Sequence, residues 1–307
     1  MNWTTENIPD LTGKIIIVTG GNSGLGYESV KAFAAKGAEV VLASRSLEKG
    51  EEAKNEILQA LPDAKIQVLE LDLGDLKSIR SFASTVKQQF SKLDVLLNNA
   101  GIMMTPYFTT KDGFEGQNGV NHLGHFALTG WLMDLILKTK GARIVNVSSG
   151  AHKRGEMDFS NLLFENGRDY APMKAYGRSK LANLLFTYEL QRKLKAAKAD
   201  AIAVAAHPGV ATTNLARYVE GKFLFKVLSP LFKLMAQDQA MGALPQIRAS
   251  VDPAVKGSDY YGPDGRHEYK GYPVVVPSNE ASHNPEDAAK LWEESEKLTG
   301  VRFEGLN

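Results

Sequence analysis

Ile15-Ile16-Ile17-Val18-Thr19-Gly20-Gly21-Asn22-Ser23-Gly24-Leu25-Gly26 is the stretch on which the fold turns. Its first half is a short apolar run that ends in turn formers, the pattern of a strand buried on both faces. Its second half crowds glycines into the passage from that strand to a helical pattern. A helix N-terminus offers unpaired N–H groups and a positive dipole end, and glycine lets a ligand approach them, so this passage suits a pyrophosphate. The spacing is T-G-x-x-x-G-x-G, and Ser29 stands where the strict G-x-G-x-x-G fingerprint has its third glycine. No Gly-Lys-Ser/Thr follows, which excludes a Walker phosphate loop. A glycine-rich turn with no ligand is the bland alternative.

Outward from this stretch, similar apolar runs occur at 39–42, 66–71, 95–97, 144–147 and 202–206. Helical patterns at 27–36, 47–61, 77–90, 124–138 and 176–195 separate them. Alternation sustained over about 200 residues implies right-handed crossovers and an α/β fold with a doubly wound, mostly parallel, Rossmann-type sheet. No repeat, low-complexity tract or Pro/Ser-rich linker interrupts the chain, so 1–307 is expected to be a single domain. After His207 the rhythm fades. Tyr260-Tyr261 reads as a last short strand, 262–272 is turn-rich, and an extension of about 262–307 ends in a helix over 285–298. Asn284 is its N-cap and Pro285 its first residue.

Composition narrows the function classes. A chain of 307 residues and 33.5 kDa buries roughly three quarters of its unfolded surface and needs no staples. The absence of cysteine excludes a disulfide framework, a thiolate metal site and a cysteine nucleophile. Lys+Arg 36 against Asp+Glu 35 argues against a dedicated nucleic-acid or anionic-membrane binder. Mean hydropathy is -0.22 and no apolar run approaches the ~18–20 residues that span a bilayer. A soluble, cytoplasmic protein with no stable membrane anchor is expected. The six histidines include no H-E-x-x-H, and no acidic partner completes a ligand set beside His122 and His125. They read as structural or surface residues, and no metal is expected.

The second strand ends in Leu42-Ala43-Ser44-Arg45, with no acidic residue. In nicotinamide-binding folds an acid there accepts from the ribose hydroxyls, whereas an arginine accommodates a 2′-phosphate. A guanidinium matches phosphate and keeps its charge, so Arg45 points to NADP(H) unless it is a solvated surface residue. Four further elements follow in order. They are Asn98-Asn99-Ala100-Gly101, Val120-Asn121-His122, Ser148-Ser149 and Tyr176-Gly177-Arg178-Ser179-Lys180. Tyr176 and Lys180 stand at i and i+4, so a helix puts them on one face. An ammonium ~4 Å from the phenol at an effective dielectric of ~20 favours phenolate by ~4 kcal/mol. That is about three pKa units, which would bring a phenol of ~10 to ~7, suited to giving and taking a proton. A surface Tyr–Lys pair is the alternative.

This ordered set over 11–213 resembles the short-chain dehydrogenase/reductase family in its single-domain form. Val120-Asn121-His122-Leu123-Gly124-His125-Phe126 and Arg45-Ser46-Leu47-Glu48-Lys49-Gly50 resemble the retinol-dehydrogenase-like branch, as does the long segment 151–169 between Ser149 and Tyr176. The resemblance implies that Tyr176 is the proton donor and acceptor, and that Lys180 lowers its pKa and holds the nicotinamide ribose. It implies that Ser149, with Ser148 as competitor, polarises the substrate oxygen, and that Asn121 bends its helix and holds a water linked to Lys180. Cofactor contacts are expected from Gly20, Asn22, Ser23, Gly24, Leu25 and Gly26, then Ser44 and Arg45. Asp72 and Leu73 are expected at the adenine, with Asn99, Ala100 and Gly101 on the adenosine side. Pro208, Gly209, Ala211 and Thr213 are expected at the nicotinamide.

Within 214–239, Phe223-Leu224-Phe225, Val227-Leu228 and Leu231-Phe232 fit a lid over an apolar substrate, a surface-lying membrane helix or core packing. The function implied is an NADP(H)-dependent oxidoreductase that interconverts a lipophilic ketone or aldehyde and its alcohol. A C=C reductase of the same fold and a non-catalytic nucleotide-binding sensor are the rivals. By resemblance, a homodimer or homotetramer pairs through the helices that carry Asn121 and Tyr176.

Overall fold

The computed structural model describes residues 2–210 and 236–306. Strand β1 (Ile15–Thr19) is buried along its whole length. Ile15 and Ile17 enter one apolar cluster, and Ile16 and Val18 another on the opposite face of the sheet. Two-sided burial is the reason the run is continuous rather than alternating. Strands β2 (Glu39–Ser44), β3 (Lys65–Glu70), β4 (Val95–Asn98), β5 (Arg143–Val147), β6 (Ile202–Ala206), β7 (Tyr260–Pro263) and β8 (Pro273–Val275) complete the sheet. Their order is β3-β2-β1-β4-β5-β6-β7-β8. All neighbours are parallel except β7 and β8. The doubly wound, Rossmann-type sheet expected from the sequence is thus present. Strand β8 left no mark in the sequence because it is three residues long, begins with proline and leaves Val275 58% exposed.

The helices are α1 (Gly24–Ala34), α2 (Leu47–Ala60), α3 (Leu76–Gln89), α4 (Gly116–Asn118), α5 (Gly124–Trp131), α6 (Met133–Lys138), α7 (Pro172–Ala196), α8 (Gln239–Val251) and α9 (Pro285–Thr299). Side-chain caps start several of them. Ser46 accepts from Lys49 N before α2, Asp75 from Lys77 N and Ser78 N before α3, and Asn284 from Glu286 N and Asp287 N before α9. The single helix expected over 124–138 is broken at Leu132, whose φ of -99° and ψ of 0° lie off the helical values. Helix α8 was not legible, because Gly242 and Pro245 are poor helix formers and most of its residues are buried, which erases any amphipathic period.

One cluster packs Ile17, Val41, Leu96 and Ile144 against Phe126, Phe186, Trp292 and Phe303. The other packs Ile16, Val18, Val40 and Leu42 against Val30, Phe33, Leu244 and Ile247. Each such side chain, removed from water, contributes about 1.5–3 kcal/mol. The C-terminal extension belongs to the first cluster, with Trp292 and Phe303 rings 4.5 Å apart and Phe126 and Phe303 4.8 Å apart. The segment 151–169 is fixed to α7 by Arg178. Its guanidinium donates to the carbonyls of Glu156 (3.0 Å), Asn161 (2.7 Å) and Leu162 (3.0 Å), and it lies 4.1 Å from the centre of the Phe164 ring. Among the described residues no helix is long and apolar enough to cross a membrane. The strand order reverses between β1 and β4, and a crevice opens beyond the carboxyl ends of these strands.

Candidate active site

The floor of that crevice is the glycine passage. Gly20 and Gly24 take φ values of +67° and +58°, and Gly20 N donates to Ala43 O at 2.8 Å. Ser23 is the N-cap of α1 but its hydroxyl makes no capping bond, which leaves the helix's first N–H groups to whatever occupies the crevice. A Cβ on Gly26 would overlap the Gly20 carbonyl oxygen and lie 2.7 Å from Asn99 Nδ2. Gly26→Ala is therefore expected to destabilise the fold by about 1–3 kcal/mol, read as a lower Tm. An unchanged Tm would show that the loop yields.

A cavity of about 500 Å³ runs from this passage to α7. Gly20, Asn22, Ser23, Gly24, Leu25, Gly26, Ser44, Arg45, Asp72, Leu73, Asn99, Ala100, Gly101, Tyr176, Lys180 and Pro208 all line it, as expected. At the β2 end the Ser44 hydroxyl donates to Ser46 O at 2.9 Å and shapes the turn that presents Arg45. Lys49, in the first turn of α2, lines the same end. The sequence reading missed it, although it stands four residues after Arg45. Among the described residues neither Arg45 nor Lys49 has an ion-pair partner. Missed as well were Ile102, Met103, Phe108 and Val120, which give the cavity apolar wall. The open helix terminus and the glycine cradle fit the pyrophosphate of a dinucleotide.

Helix α7 carries Tyr176 and Lys180, 6% and 4% exposed, to the other end of the cavity. The i, i+4 spacing does bring them onto one face, but the electrostatics differ from the expectation. Lys180 Nζ donates to Val147 O at 3.0 Å and lies 5.8 Å from the centre of the Tyr176 ring. Burial raises the phenol pKa above its ordinary 10.0, and a hydrogen bond from the Ser149 hydroxyl opposes that rise. Burial also pushes Lys180 down to about 8. The pairing does not bring Tyr176 near neutrality, because taking both groups out of water penalises the charged form of each.

The two serines separate clearly. Ser148 Oγ donates to Lys180 O at 2.8 Å, which commits its proton to the backbone, whereas Ser149 Oγ accepts from Ala151 N at 3.2 Å and hydrogen-bonds the Tyr176 phenol. Ser148 lines the cavity, but Ser149 and Asn121, against the expectation, lie behind its wall. Asn121 sits in a π-turn (Gly119–Leu123), a local widening that often marks functional sites. Its Oδ1 accepts from Ile102 N at 2.8 Å, and its Nδ2 donates to Ile102 O and Ser179 Oγ, both at 2.9 Å. Beside Gly101, Asn121 Oδ1 and Lys180 Nζ flank one spot.

Gly209 departs from the expectation. Its φ is +65°, and a Cβ there would overlap Tyr269 O and crowd Pro263, so it serves a tight turn against 263–269 and does not line the cavity. Ala211, Thr213 and residues 214–235 of the expected lid lie outside the described residues, while Gln239 opens α8. His207 lies 3.1 Å from Glu268, which also meets Lys153 at 3.2 Å. The described residues include no group of His, Asp and Glu that could hold a metal ion.

With this geometry in hand, comparison with known proteins is specific. Residues 14–162 match the family model described as short chain dehydrogenase. The chain is 39% identical to human retinol dehydrogenase 13 over 294 residues, 95% of this chain and 86% of that protein. It is 38% identical to mouse retinol dehydrogenase 12 over 300 residues, 98% and 90% of the two chains. The crystal structure of an uncharacterized Mycobacterium paratuberculosis protein superposes with a TM-score of 0.82 at 40% identity, covering 99% of each chain. The chain belongs to the short-chain dehydrogenase/reductase family. It is an oxidoreductase of that family's retinol-dehydrogenase-like branch, whose members bind a nicotinamide cofactor and act on small molecules.

Proposed function

We propose that the chain is an NADP(H)-dependent oxidoreductase that interconverts a lipophilic ketone or aldehyde and its alcohol. One observation carries this reading: one cavity has Arg45 and Lys49, which lack ion-pair partners among the described residues, at one end and Tyr176 with Lys180 at the other. Bound nicotinamide would supply or take the hydride. Gly20, Ser23, Gly24 and Gly26 would hold the pyrophosphate, Arg45 and Lys49 the 2′-phosphate, and Lys180 the nicotinamide ribose. The Ser149 hydroxyl would hold the substrate oxygen beside the Tyr176 phenol, which gives its proton during reduction and takes one back during oxidation. Ile102, Met103 and Phe108 keep part of the cavity dry and favour an apolar substrate. The relatives' names point the same way, since retinol is a lipophilic alcohol.

The direct experiment follows NADPH and NADH oxidation with a panel of lipophilic ketones, aldehydes and their α,β-unsaturated analogues, with products identified. Alcohol as product supports this reading. A saturated carbonyl as product identifies a C=C reductase, and no turnover with any substrate identifies a sensor. Arg45→Ala is expected to weaken NADPH binding about tenfold to a hundredfold, the worth of one or two charge-assisted hydrogen bonds, with NADH almost unaffected. Equal losses for both dinucleotides would remove Arg45 from the 2′-phosphate.

By resemblance we propose a homodimer or homotetramer that pairs through the helices carrying Asn121 and Tyr176, on faces other than the one where Trp292 of α9 and Phe303 pack against Phe126 of α5 and Phe186 of α7. Cross-links between α5 or α7 of two copies would support this, and an oligomer cross-linked only through other elements would contradict it.

A further inference from the structure

His125 is only 2% exposed and lies between the two halves of the site. Its Nδ1 is 3.0 Å from Asn121 O and its Nε2 is 2.9 Å from Thr19 Oγ1. The Thr19 hydroxyl already accepts from Asn99 N and Ala100 N, both at 2.9 Å. A hydroxyl has two lone pairs and one proton, so with both lone pairs taken it can only donate to the imidazole. Its other acceptor, Leu97 O, is farther away at 3.4 Å. Were the Thr19 proton sent there, a proton on Nε2 would face an oxygen with no lone pair left. Hydrogen-bond accounting therefore leaves one arrangement: Thr19 donates to Nε2, and Nδ1–H donates to the Asn121 carbonyl.

From this we infer that His125 is a positioning residue, held as the neutral Nδ1–H tautomer, which locks the π-turn of Asn121 to the end of β1 and the Asn99-Ala100 turn. The lock continues beyond Asn121. Its amide donates to Ser179 Oγ, and Ser179 Oγ donates to Tyr176 O at 2.8 Å, so one unbroken chain joins the dinucleotide cradle to the turn that carries the phenol. At the π-turn the imidazole supplies a side-chain donor to the Asn121 carbonyl. One arm of His125 thus sets the cradle, and the other sets the geometry of Asn121. The division of labour rests on the proposed function. The tautomer does not.

The test has two parts on the full chain. Long-range ¹H–¹⁵N correlation at pH 7 is expected to place the His125 proton on Nδ1 with Nε2 bare, and a proton on Nε2 overturns the inference whatever the protein binds. His125→Asn keeps a donor where Nδ1 stood, and His125→Gln keeps an acceptor where Nε2 stood. Calorimetric NADPH binding without substrate is expected to weaken about tenfold in His125→Asn and to stay within about threefold in His125→Gln, as the loss of one hydrogen bond predicts. Turnover is expected to show the reverse, about a tenfold loss in His125→Gln and less than about threefold in His125→Asn. Equal losses of both properties in the two variants would reduce His125 to packing and overturn the division of labour. Wild-type protein that binds no dinucleotide would overturn the proposed function and leave the tautomer result standing.

Discussion

Tyr176→Phe is expected to lower turnover by about 10²–10⁴-fold, the usual contribution of one well-placed proton donor. Dinucleotide affinity is expected to hold, because the ring and its burial are kept and the cradle from Gly20 to Gly26 is untouched. Among the described residues the Ser149 hydroxyl loses its phenol partner and still accepts from Ala151 N at 3.2 Å. Stability therefore changes by no more than about 1.5 kcal/mol. Steady-state rates, calorimetric binding and a melting curve on the same preparation separate these effects. Turnover within tenfold of wild type would mean that the proton comes from another group. The raised phenol pKa adds a direction. Burial raises the phenol pKa above its ordinary 10.0, so under the proposed function alcohol oxidation is expected to gain as pH rises.

A steep loss of stability between pH 6.5 and pH 4 is the second large effect expected. Burial holds His122 down to about 3, and His125 and His152 down to about 4, from an ordinary 6.5. Each has a hydrogen-bonding reason to stay neutral. His122 Nε2 donates to Ser295 Oγ at 2.9 Å with its ring edge-on to Phe186, and a charged ring would face that apolar cluster. A second proton on His125 would point at the saturated Thr19 oxygen. On His152, Nδ1 donates to Ser149 O at 2.6 Å and Nε2 accepts from Asn279 N at 3.3 Å, so a proton on Nε2 would oppose an N–H. The folded pKa of each lies below the unfolded value. Below pH 6.5 the unfolded chain therefore binds protons that the folded chain refuses, and stability falls with pH until the folded groups titrate.

At pH 5 each group costs about 2 kcal/mol, or about 6 kcal/mol together, a large share of the 5–15 kcal/mol typical of a folded domain. Urea unfolding at pH 7, 6 and 5 is the measurement, and a flat series would mean that these histidines are charged or hydrated in the folded state. Glu268 acts over a lower window. Hydrogen bonds from His207 and Lys153 hold it at about 2 against an ordinary 4.5, so its contribution is present above 4.5 and fades only as pH falls toward 2.

How far the sequence reads depends on how local the physics is. The run 15–18, the glycine passage, the end of β2 at Arg45 and the i, i+4 pair of Tyr176 and Lys180 are all decided within a few residues. Periodicity and turn chemistry were therefore enough to place the parallel sheet and the glycine passage, and the family resemblance supplied most of the remaining residues that line the cavity. Strand β8 and helix α8 escaped because their stability is tertiary. The first is a short edge pairing with β7. The second is held against the cradle by Gln246, whose amide donates to Ser29 Oγ at 2.9 Å and Asn99 Oδ1 at 3.0 Å.

By itself the sequence determined the strand–helix order, the glycine passage after β1, the arginine at the end of β2 and the i, i+4 placement of Tyr176 and Lys180, since these follow from neighbours along the chain. The tertiary structure alone decided which of two adjacent serines faces Tyr176, that Lys180 turns to Val147 O, that burial keeps the phenol protonated, and that His125 closes on Thr19. Those outcomes are set by desolvation and by hydrogen bonds between groups far apart in the chain, 32 positions for Ser148 and Lys180 and 106 for Thr19 and His125. Neither depth nor a distant partner is written into local spacing.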